Sequence, residues 1–461
     1  QKDLIVILND NNMSISKNVG ALQNYLTNIL VSRSYNTLRN VVWDFVQHMP
    51  SKVKRRIVLS ARKFEENIIN TLAPNIIFED LGFKYLGPID GHDISRLVRI
   101  FNKVKINLSG PVFIHVVTQK GKGYGFAEED APKFHGLGPY EIRTGKSVKK
   151  KGLSYSKVFG DTLCKLAESN NKIVGITAAM TDGTGLTEYA KKFPARFFDV
   201  GIAEQHSVTF AGGLATKGIK PFVAIYSTFL QRALDQVIHD IALQKLPVVF
   251  CLDRAGIVGE DGATHHGAFD LSYLNFIPDM VVMMPKDAPE LIQMMEFAAD
   301  YNEGPVAIRY PRGSIHNLKI SKTKIELGKS ELLQKGEKIA ILSAGTICQE
   351  GLDIAEKIKK DFPEIDPTIG NMRFLKPLDT EFLDRLENYD YIFTLEENSL
   401  IGGMGSSIAS YFSEKEVKVH SFGLPDEFIP HGKTTKLKEV YNLTPEKTYQ
   451  KIKQIIDGIQ K

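Results

Sequence analysis

The sequence is poor in cysteine and nearly free of tryptophan, with three Cys and one Trp in 461 residues. Cys164, Cys251 and Cys348 are odd in number, widely spaced and set in apolar contexts, and none belongs to a C-x-x-C pair. That excludes a disulfide framework and a cysteine-built zinc site, and it suits a reducing cytoplasm. No apolar run reaches the length needed to span a bilayer, and nothing at the start resembles a signal peptide. An excess of charge of one sign is also missing. Against 58 Lys and Arg stand 54 Asp and Glu, for a net charge of +4 and a pI near 8.6. This is too mild and too dispersed to argue for nucleic acid, and the basic clusters Lys52–Arg56 and Lys149–Lys151 read as solvated faces.

What is present is an ordinary globular balance, 43% hydrophobic and 24% charged, in a chain long enough for two or three domains. Strand-like runs at 173–176, 197–200, 221–225, 248–252, 281–284 and 306–309 alternate with helical stretches, which predicts a parallel sheet with crossover helices over 151–320. A further set at 339–343, 391–395 and 417–421 predicts another such domain over 328–461. Residues 1–150 read as the later part of one more α/β domain, with polar helical stretches to about Leu72. Its buried strands are expected at Leu4–Leu8 and Pro111–Val117, and one helix should bury Ile94, Leu97, Val98 and Phe101. The fold class is therefore α/β, three domains with mainly parallel sheets flanked by helices, the first incomplete. A helix over 228–244 should place Leu230, Leu234, Val237, Ile238 and Ile241 on one core face. Gly402-Gly-Met-Gly405 before a helix is either a phosphate cradle or a close-packed turn; so short a run favours the turn.

The chain is organised around Asp199-Val-Gly-Ile-Ala-Glu204-Gln-His206, where an apolar run breaks at Gly201 and passes into a small-residue helix, Ile202 to Ala215. Glu204 falls in the first turn, where a carboxylate taken alone does no more than complement the helix dipole. Tyr226-Ser-Thr-Phe229-Leu-Gln-Arg232 and the stretch from Asp253-Arg254 through Asp261 to His265-His266-Gly267 each follow another apolar run. Strand ends carrying Glu, aromatic, Arg, Asp and His side chains are how an open α/β sheet builds a ligand crevice.

With these go NDNNMSIS (9–16), GPIDGHD (87–93), KGKGY (120–124), SYSKVFGD (154–161), RYPRG (309–313) and LPDEFIPHG (424–432). In this order, from Ile5 nearly to the C-terminus, the motifs resemble the 1-deoxy-D-xylulose-5-phosphate synthase family of the transketolase superfamily. The resemblance implies a transferase that uses thiamine diphosphate and Mg²⁺. Its implied reaction decarboxylates pyruvate and joins the two-carbon unit to D-glyceraldehyde 3-phosphate, giving 1-deoxy-D-xylulose 5-phosphate and CO₂. That product opens the non-mevalonate isoprenoid pathway and feeds thiamine and pyridoxal synthesis. A cytoplasmic homodimer is implied, with no membrane or nucleic-acid partner. One departure concerns the Gly-Asp-Gly motif that the family carries upstream of NDNNM, for this chain opens eight residues before NDNNM. The expectation is that an upstream segment or a separate N-terminal polypeptide supplies it. Alone, the chain is expected to hold the cofactor poorly, since Asn11 and Met13 offer Mg²⁺ only neutral oxygens.

By the same resemblance Asn11, through its side-chain carbonyl, and Met13, through its backbone carbonyl, are metal ligands. Glu204 bonds the pyrimidine nitrogen of the cofactor and so tunes it, while the hard chemistry is the cofactor's. Phe229 stacks on the pyrimidine. Lys120 and Tyr124 lie near the cofactor, and His135 near the reacting carbon, where a proton donor is useful. Arg254 and Arg309, with Tyr226, match the contacts to the acceptor's phosphate, which favours guanidinium forks. Arg232, Asp261 and His265 match residues around the substrates' carbonyl and hydroxyl groups; His206, His266, Arg312 and His431 are expected in supporting roles. Two rival readings share parts of this pattern. A transketolase or a pyruvate dehydrogenase-type subunit has the same glutamate, but the DRAGIVGEDGATHHGAFD loop and SYSKVFGD speak for the synthase. A non-catalytic assembly subunit would suit the missing aspartate, but such a chain has little reason to keep every downstream position.

Overall fold

The computed structural model describes residues 3–13, 75–107, 109–148, 153–313, 315 and 324–458. The helical region expected before Leu72 and both basic clusters lie outside the described residues. The chain forms two compact units, Gln1–Lys150 and Lys151–Lys461. Among the described residues no helix is long and apolar enough to cross a membrane.

In the first unit β1 (Ile5–Asp10), β2 (Lys84–Asp90) and β3 (Val112–Val117) form a parallel sheet in the order β1-β3-β2. β3 is central and buried. β1 is not the buried strand expected: among the described residues it pairs only with β3, and Ile5 and Ile7 are 50% and 52% exposed. The helix Ile94–Asn107 packs through Leu97, Ile100, Phe101 and Val104, whereas Ile94 and Val98 face solvent. The stripe thus has the expected helical spacing but lies about one turn further along. A short hairpin, β4 (Tyr140–Glu141) and β5 (Lys146–Ser147), follows.

In the second unit every strand-like run of the sequence is a strand. β6 (Ile173–Thr177), β7 (Phe197–Asp199), β8 (Lys220–Tyr226), β9 (Val249–Ala255), β10 (Val281–Met283) and β11 (Val306–Pro311) are parallel. Helices cover both faces, so the strands read as unbroken apolar runs; Phe222, Val223, Ala224 and Ile225 of β8 are all fully buried. A second sheet is built from β12 (Glu331–Gln334), β13 (Ile339–Ser343), β14 (Thr368–Asn371), β16 (Tyr391–Ser399) and β17 (Lys418–Leu424), in the order β12-β14-β13-β16-β17. The strand between, β15 (Phe374–Lys376), leaves this sheet and pairs antiparallel with β10, so that the first sheet runs β15-β10-β11-β9-β8-β6-β7. Residues 328–458 belong to the same compact unit as 151–320. They share a sheet with 151–320, and one core joins Leu252 and Val282 to Leu342 and Ile392.

Two local points bear on the crevice. The stretch 228–244 is not one α-helix but a helical turn at Ser227–Leu230, a 3₁₀ turn at Gln231–Ala233, another turn at Leu234–Gln236 and a π-helical segment at Val237–Ala242. Each change of winding rotates the residues after it, so Leu230, Val237 and Ile241 are buried, Leu234 is half-buried and Ile238 is exposed. At Gly402–Gly405 the turn reading holds. The Glu396 carboxylate accepts the N–H groups of Met404 and Gly405, both at 2.8 Å, and occupies the helix start that a phosphate would need.

The strand order reverses at β6, with β7 on one side and β8 on the other. The carboxyl ends of strands flanking such a reversal form a crevice. Three chain segments that carry the signature residues leave the sheet there, after β7, β8 and β9, beside the loop that follows β6.

Candidate functional site

β7 ends at Asp199, the chain turns through Gly201 at φ +71°, and the helix Glu204–Ala215 begins on Glu204. Glu204 is 2% exposed. Arg232, from the 3₁₀ turn, lies 2.9 Å from its Oε2 and is itself half-exposed. Oε2 thus has the Arg232 charge beside it, but among the described residues it accepts no hydrogen bond. A buried carboxylate oxygen without a donor is costly unless a ligand supplies one.

At the end of β8, the Tyr226 and Phe229 rings are stacked at 5.4 Å and 19°, and the His265 ring meets Phe229 edge-on at 5.2 Å. The Nδ1 of His265 is 2.8 Å from Thr264 Oγ1. The guanidinium of Arg254 lies 4.0 Å over the Tyr226 ring. Its Nη1 donates to Gly183 O at 2.6 Å and meets Asp253 Oδ2 at 2.9 Å and Ser156 Oγ at 3.3 Å, leaving Nε and Nη2 without an acceptor among the described residues. Asp253 is fully buried, and Ser156 Oγ donates to it at 2.6 Å. Burial pushes the Asp253 carboxyl above its usual range, against the pull of Arg254 and Ser156. Burial also raises the Tyr226 hydroxyl, so it stays a proton-bearing donor.

Asp261 forms an ion pair with Arg312, the two being 40% and 46% exposed. Arg309 is elsewhere. It stands within β11 opposite Leu252, 6% exposed, with Nε on Asp270 Oδ2 at 2.9 Å and Nη2 on the carbonyls of Glu397 at 3.1 Å and Gly267 at 3.3 Å. The cavity beside it, shared with Ala255, Tyr310 and Glu397, measures about 20 Å³. That is room for a water but not for a phosphate. Arg309, expected beside Arg254 as a phosphate contact, is tied to Asp270 and two backbone carbonyls, and a more exposed guanidinium beyond the strand end is that of Arg312.

The loop that carries Arg254, Asp261 and His265 is tied down from the C-terminal segment. Ile257 N–H donates to Glu397 Oε2 at 3.2 Å, and Lys438 pairs with that same carboxylate. His266 Nδ1 accepts from Val258 N at 3.1 Å, which places its proton on Nε2, 3.1 Å from Pro430 O. Gly432 N–H reaches Gly259 O at 3.3 Å. LPDEFIPHG takes part in two of these bonds, accepting at Pro430 O and donating from Gly432 N–H. His431 packs against Gly262, and His206 stacks on Phe210 at 5.8 Å.

In the first unit, Asn11 Oδ1 accepts Met13 N–H at 3.0 Å, and Asn12 between them sits at φ +58°. The loop is therefore wound tightly, with Asn11 Oδ1 turned onto the backbone of Met13. Lys120 is half-buried and its amine is lowered by that burial; the exposed His135 is lowered by desolvation and then by the Lys120 charge. Tyr124 is held among Phe126, Phe134 and Tyr140, and its hydroxyl donates to Ile142 O at 2.7 Å.

Comparison with known proteins places this geometry. Residues 1–118 match the family model of 1-deoxy-D-xylulose-5-phosphate synthase, 151–317 the pyrimidine binding domain of transketolase, and 328–448 the transketolase C-terminal domain. The chain is 46% identical over its whole length to 1-deoxy-D-xylulose-5-phosphate synthase of Natranaerobius thermophilus, of which it covers 73%. The chain belongs to the 1-deoxy-D-xylulose-5-phosphate synthase family. The enzyme of that name from Caldanaerobacter subterraneus subsp. tengcongensis is 48% identical over 96% of this chain and 71% of its own length. The one from Aquifex aeolicus is 46% identical over 98% of this chain and 72% of its own. Among solved structures, a split gene transketolase described as an inactive beta4 tetramer matches at TM-score 0.59 and 31% identity, covering 66% of this chain and 98% of that one. Membership in the synthase family makes the chain a transferase of the transketolase class, with the thiamine-diphosphate dependence that the family implies.

Three residues around Arg254 were not singled out by the sequence reading. Asp253 and Ser156 orient Arg254, and Gly183 offers it a carbonyl.

Proposed function

We propose that the protein forms 1-deoxy-D-xylulose 5-phosphate and CO₂ from pyruvate and D-glyceraldehyde 3-phosphate, using thiamine diphosphate with Mg²⁺. Supporting this above all is Glu204, a buried carboxylate whose Oε2 lies beside Arg232 but among the described residues accepts no hydrogen bond, at the start of a helix in the segment matched by the pyrimidine-binding model. Such an oxygen fits the protonated ring nitrogen of an aminopyrimidine, and the half-buried face of Phe229 fits the ring itself. When bound, thiamine diphosphate supplies an acidic carbon between nitrogen and sulfur that adds to a carbonyl and takes up the charge left by decarboxylation.

The chain's own residues do the rest. Glu204 accepts a hydrogen bond from the pyrimidine and fixes its proton distribution, with the Arg232 guanidinium beside it. Arg254, through its free Nε and Nη2, and Arg312 hold the acceptor's phosphate, with the Tyr226 hydroxyl as a neutral donor. Asp261 fixes Arg312 and stands ready for an acceptor hydroxyl. His265, oriented by Thr264, donates or accepts a proton at the substrate carbonyl. In the first unit Asn11 and Met13 supply metal oxygens, and Lys120, Tyr124 and His135 face the cofactor. The product enters isoprenoid, thiamine and pyridoxal synthesis in the cytoplasm, and the chain acts as a homodimer.

The test is cofactor binding by the native protein and its Glu204→Ala variant, with hydrogen–deuterium exchange at the thiazolium carbon as a second readout. The variant should keep its fold, bind the cofactor more weakly and lose the exchange. Undiminished exchange would remove Glu204 from this role.

A further inference from the structure

We propose that Asp199 is a positioning residue that sets the cofactor-facing carboxylate Glu204 and the acceptor-facing Arg254 in one register. It rests on the reading of Glu204 as the pyrimidine's partner. Asp199 is the last residue of β7 and lies opposite Thr177, the last of β6. Past these two ends the backbone diverges into the turn before Glu204 and the loop 178–185, and Asp199 holds both. Its Oδ1 accepts the N–H of Ala179 at 2.8 Å and that of Gly201 at 3.0 Å, and its Oδ2 accepts Thr181 Oγ1 at 2.9 Å.

Both turns need to be held. Ala179 sits at φ +62°, a left-handed conformation that a side chain with a Cβ seldom adopts without enforcement. On the other branch, the helix Glu204–Ala215 starts from Ala203, which has no side-chain cap, so the approach to Glu204 is fixed two residues earlier by the bond to Gly201. From Asp199 one branch runs through Gly201 to Glu204. The other runs through Ala179 and Thr181 into a loop wound on itself, with Thr184 N on Met180 O and Leu186 N on Thr181 O, both at 2.9 Å. That loop presents the Gly183 carbonyl to Arg254 Nη1 and backs the Tyr226 hydroxyl so closely that a Cβ on Gly183 would stand 2.1 Å from it.

A double-mutant cycle distinguishes positioning from simple turn stability. In the native protein, Asp199→Ala should weaken thiamine diphosphate binding about tenfold by titration calorimetry with Mg²⁺ and raise the acceptor KM several-fold, and Asp199→Asn, which keeps an acceptor toward the two N–H groups, should recover most of both. In a Glu204→Gln background, Asp199→Ala should change cofactor affinity less than twofold, because the residue it acts through is already altered. The same tenfold loss in both backgrounds, or a fall in unfolding temperature with both affinities intact, would overturn the proposal. Wild-type cofactor affinity in Glu204→Gln and Glu204→Ala would instead defeat the reading of Glu204. If Asp199→Ala does not fold, Thr181→Val carries the test: it should raise the acceptor KM and spare cofactor affinity, and the reverse pattern would overturn the proposal.

Discussion

Arg309→Met and Arg312→Ala should damage the protein in opposite ways. Arg309 is the counter-ion of Asp270, which is fully buried, and it also donates to two backbone carbonyls. Methionine fills much of the same volume but leaves the Asp270 charge unpaired in the interior, which costs about 3–5 kcal/mol. The unfolding midpoint should fall by many degrees. Arg312 shares its charge with Asp261 across a contact that water reaches from both sides, so its removal costs stability about 1 kcal/mol at most. Its loss should show in catalysis instead. A charge-assisted bond to phosphate is worth about 1.5–3 kcal/mol, or about 10- to 150-fold in kcat/KM for the phosphorylated acceptor, while steps that need only pyruvate are spared. Thermal unfolding by circular dichroism, beside steady-state kinetics with each substrate varied, reads both effects. An Arg309→Met protein that unfolds like the wild type yet loses its acceptor selectively, with Arg312→Ala silent, would refute the assignment.

Gly183→Ala should push the Tyr226 hydroxyl aside while the fold survives, since the crowded atom is the far end of a side chain. The acceptor KM should rise about two- to tenfold, the worth of one hydroxyl bond, and an unchanged KM would free Tyr226 from that role. His266 is neutral in its latch, and burial holds its pKa below the ordinary 6.5. Its folded-state pKa is depressed, so the latch's contribution is complete above about pH 6.5 and is lost as the pH falls through the folded value. Denaturant midpoints should therefore decline in acid less steeply in His266→Asn than in wild type; parallel declines would remove His266 as a cause. Burial holds Cys251 and Cys348 far above the usual thiol range, so in the native protein a thiol reagent should modify Cys164 alone. Labelling of all three before unfolding would contradict the packing.

Much of the crevice was legible because its residues sit where apolar runs end. Tyr226, Asp199 and Arg254 fall at or next to the last pleats of β8, β7 and β9, and a reader who finds the strands finds them. The ion pair of Arg309 was not legible, since the register places it inside β11 with a buried aspartate from another element. Local pattern carries no trace of such a long-range pair. Ile238 failed similarly: a π-helical segment changes the period by which a face is counted, and propensity does not announce it. β15 was invisible as a bridge between sheets, since three residues that continue one domain in sequence pair with a strand of another. His266 and Glu397 hold the loop after β9 by bonds to residues more than a hundred positions away, which only the fold reveals.

The central claim is that Glu204 and the crevice around it perform the synthase reaction. Its most direct test is to supply the native protein with ¹³C-labelled pyruvate, unlabelled D-glyceraldehyde 3-phosphate, thiamine diphosphate and Mg²⁺, and to follow the carbon by NMR. The account predicts labelled CO₂ together with 1-deoxy-D-xylulose 5-phosphate carrying two labelled carbons, and neither from Glu204→Ala. CO₂ release without the sugar phosphate, or the same yield from Glu204→Ala, would contradict it.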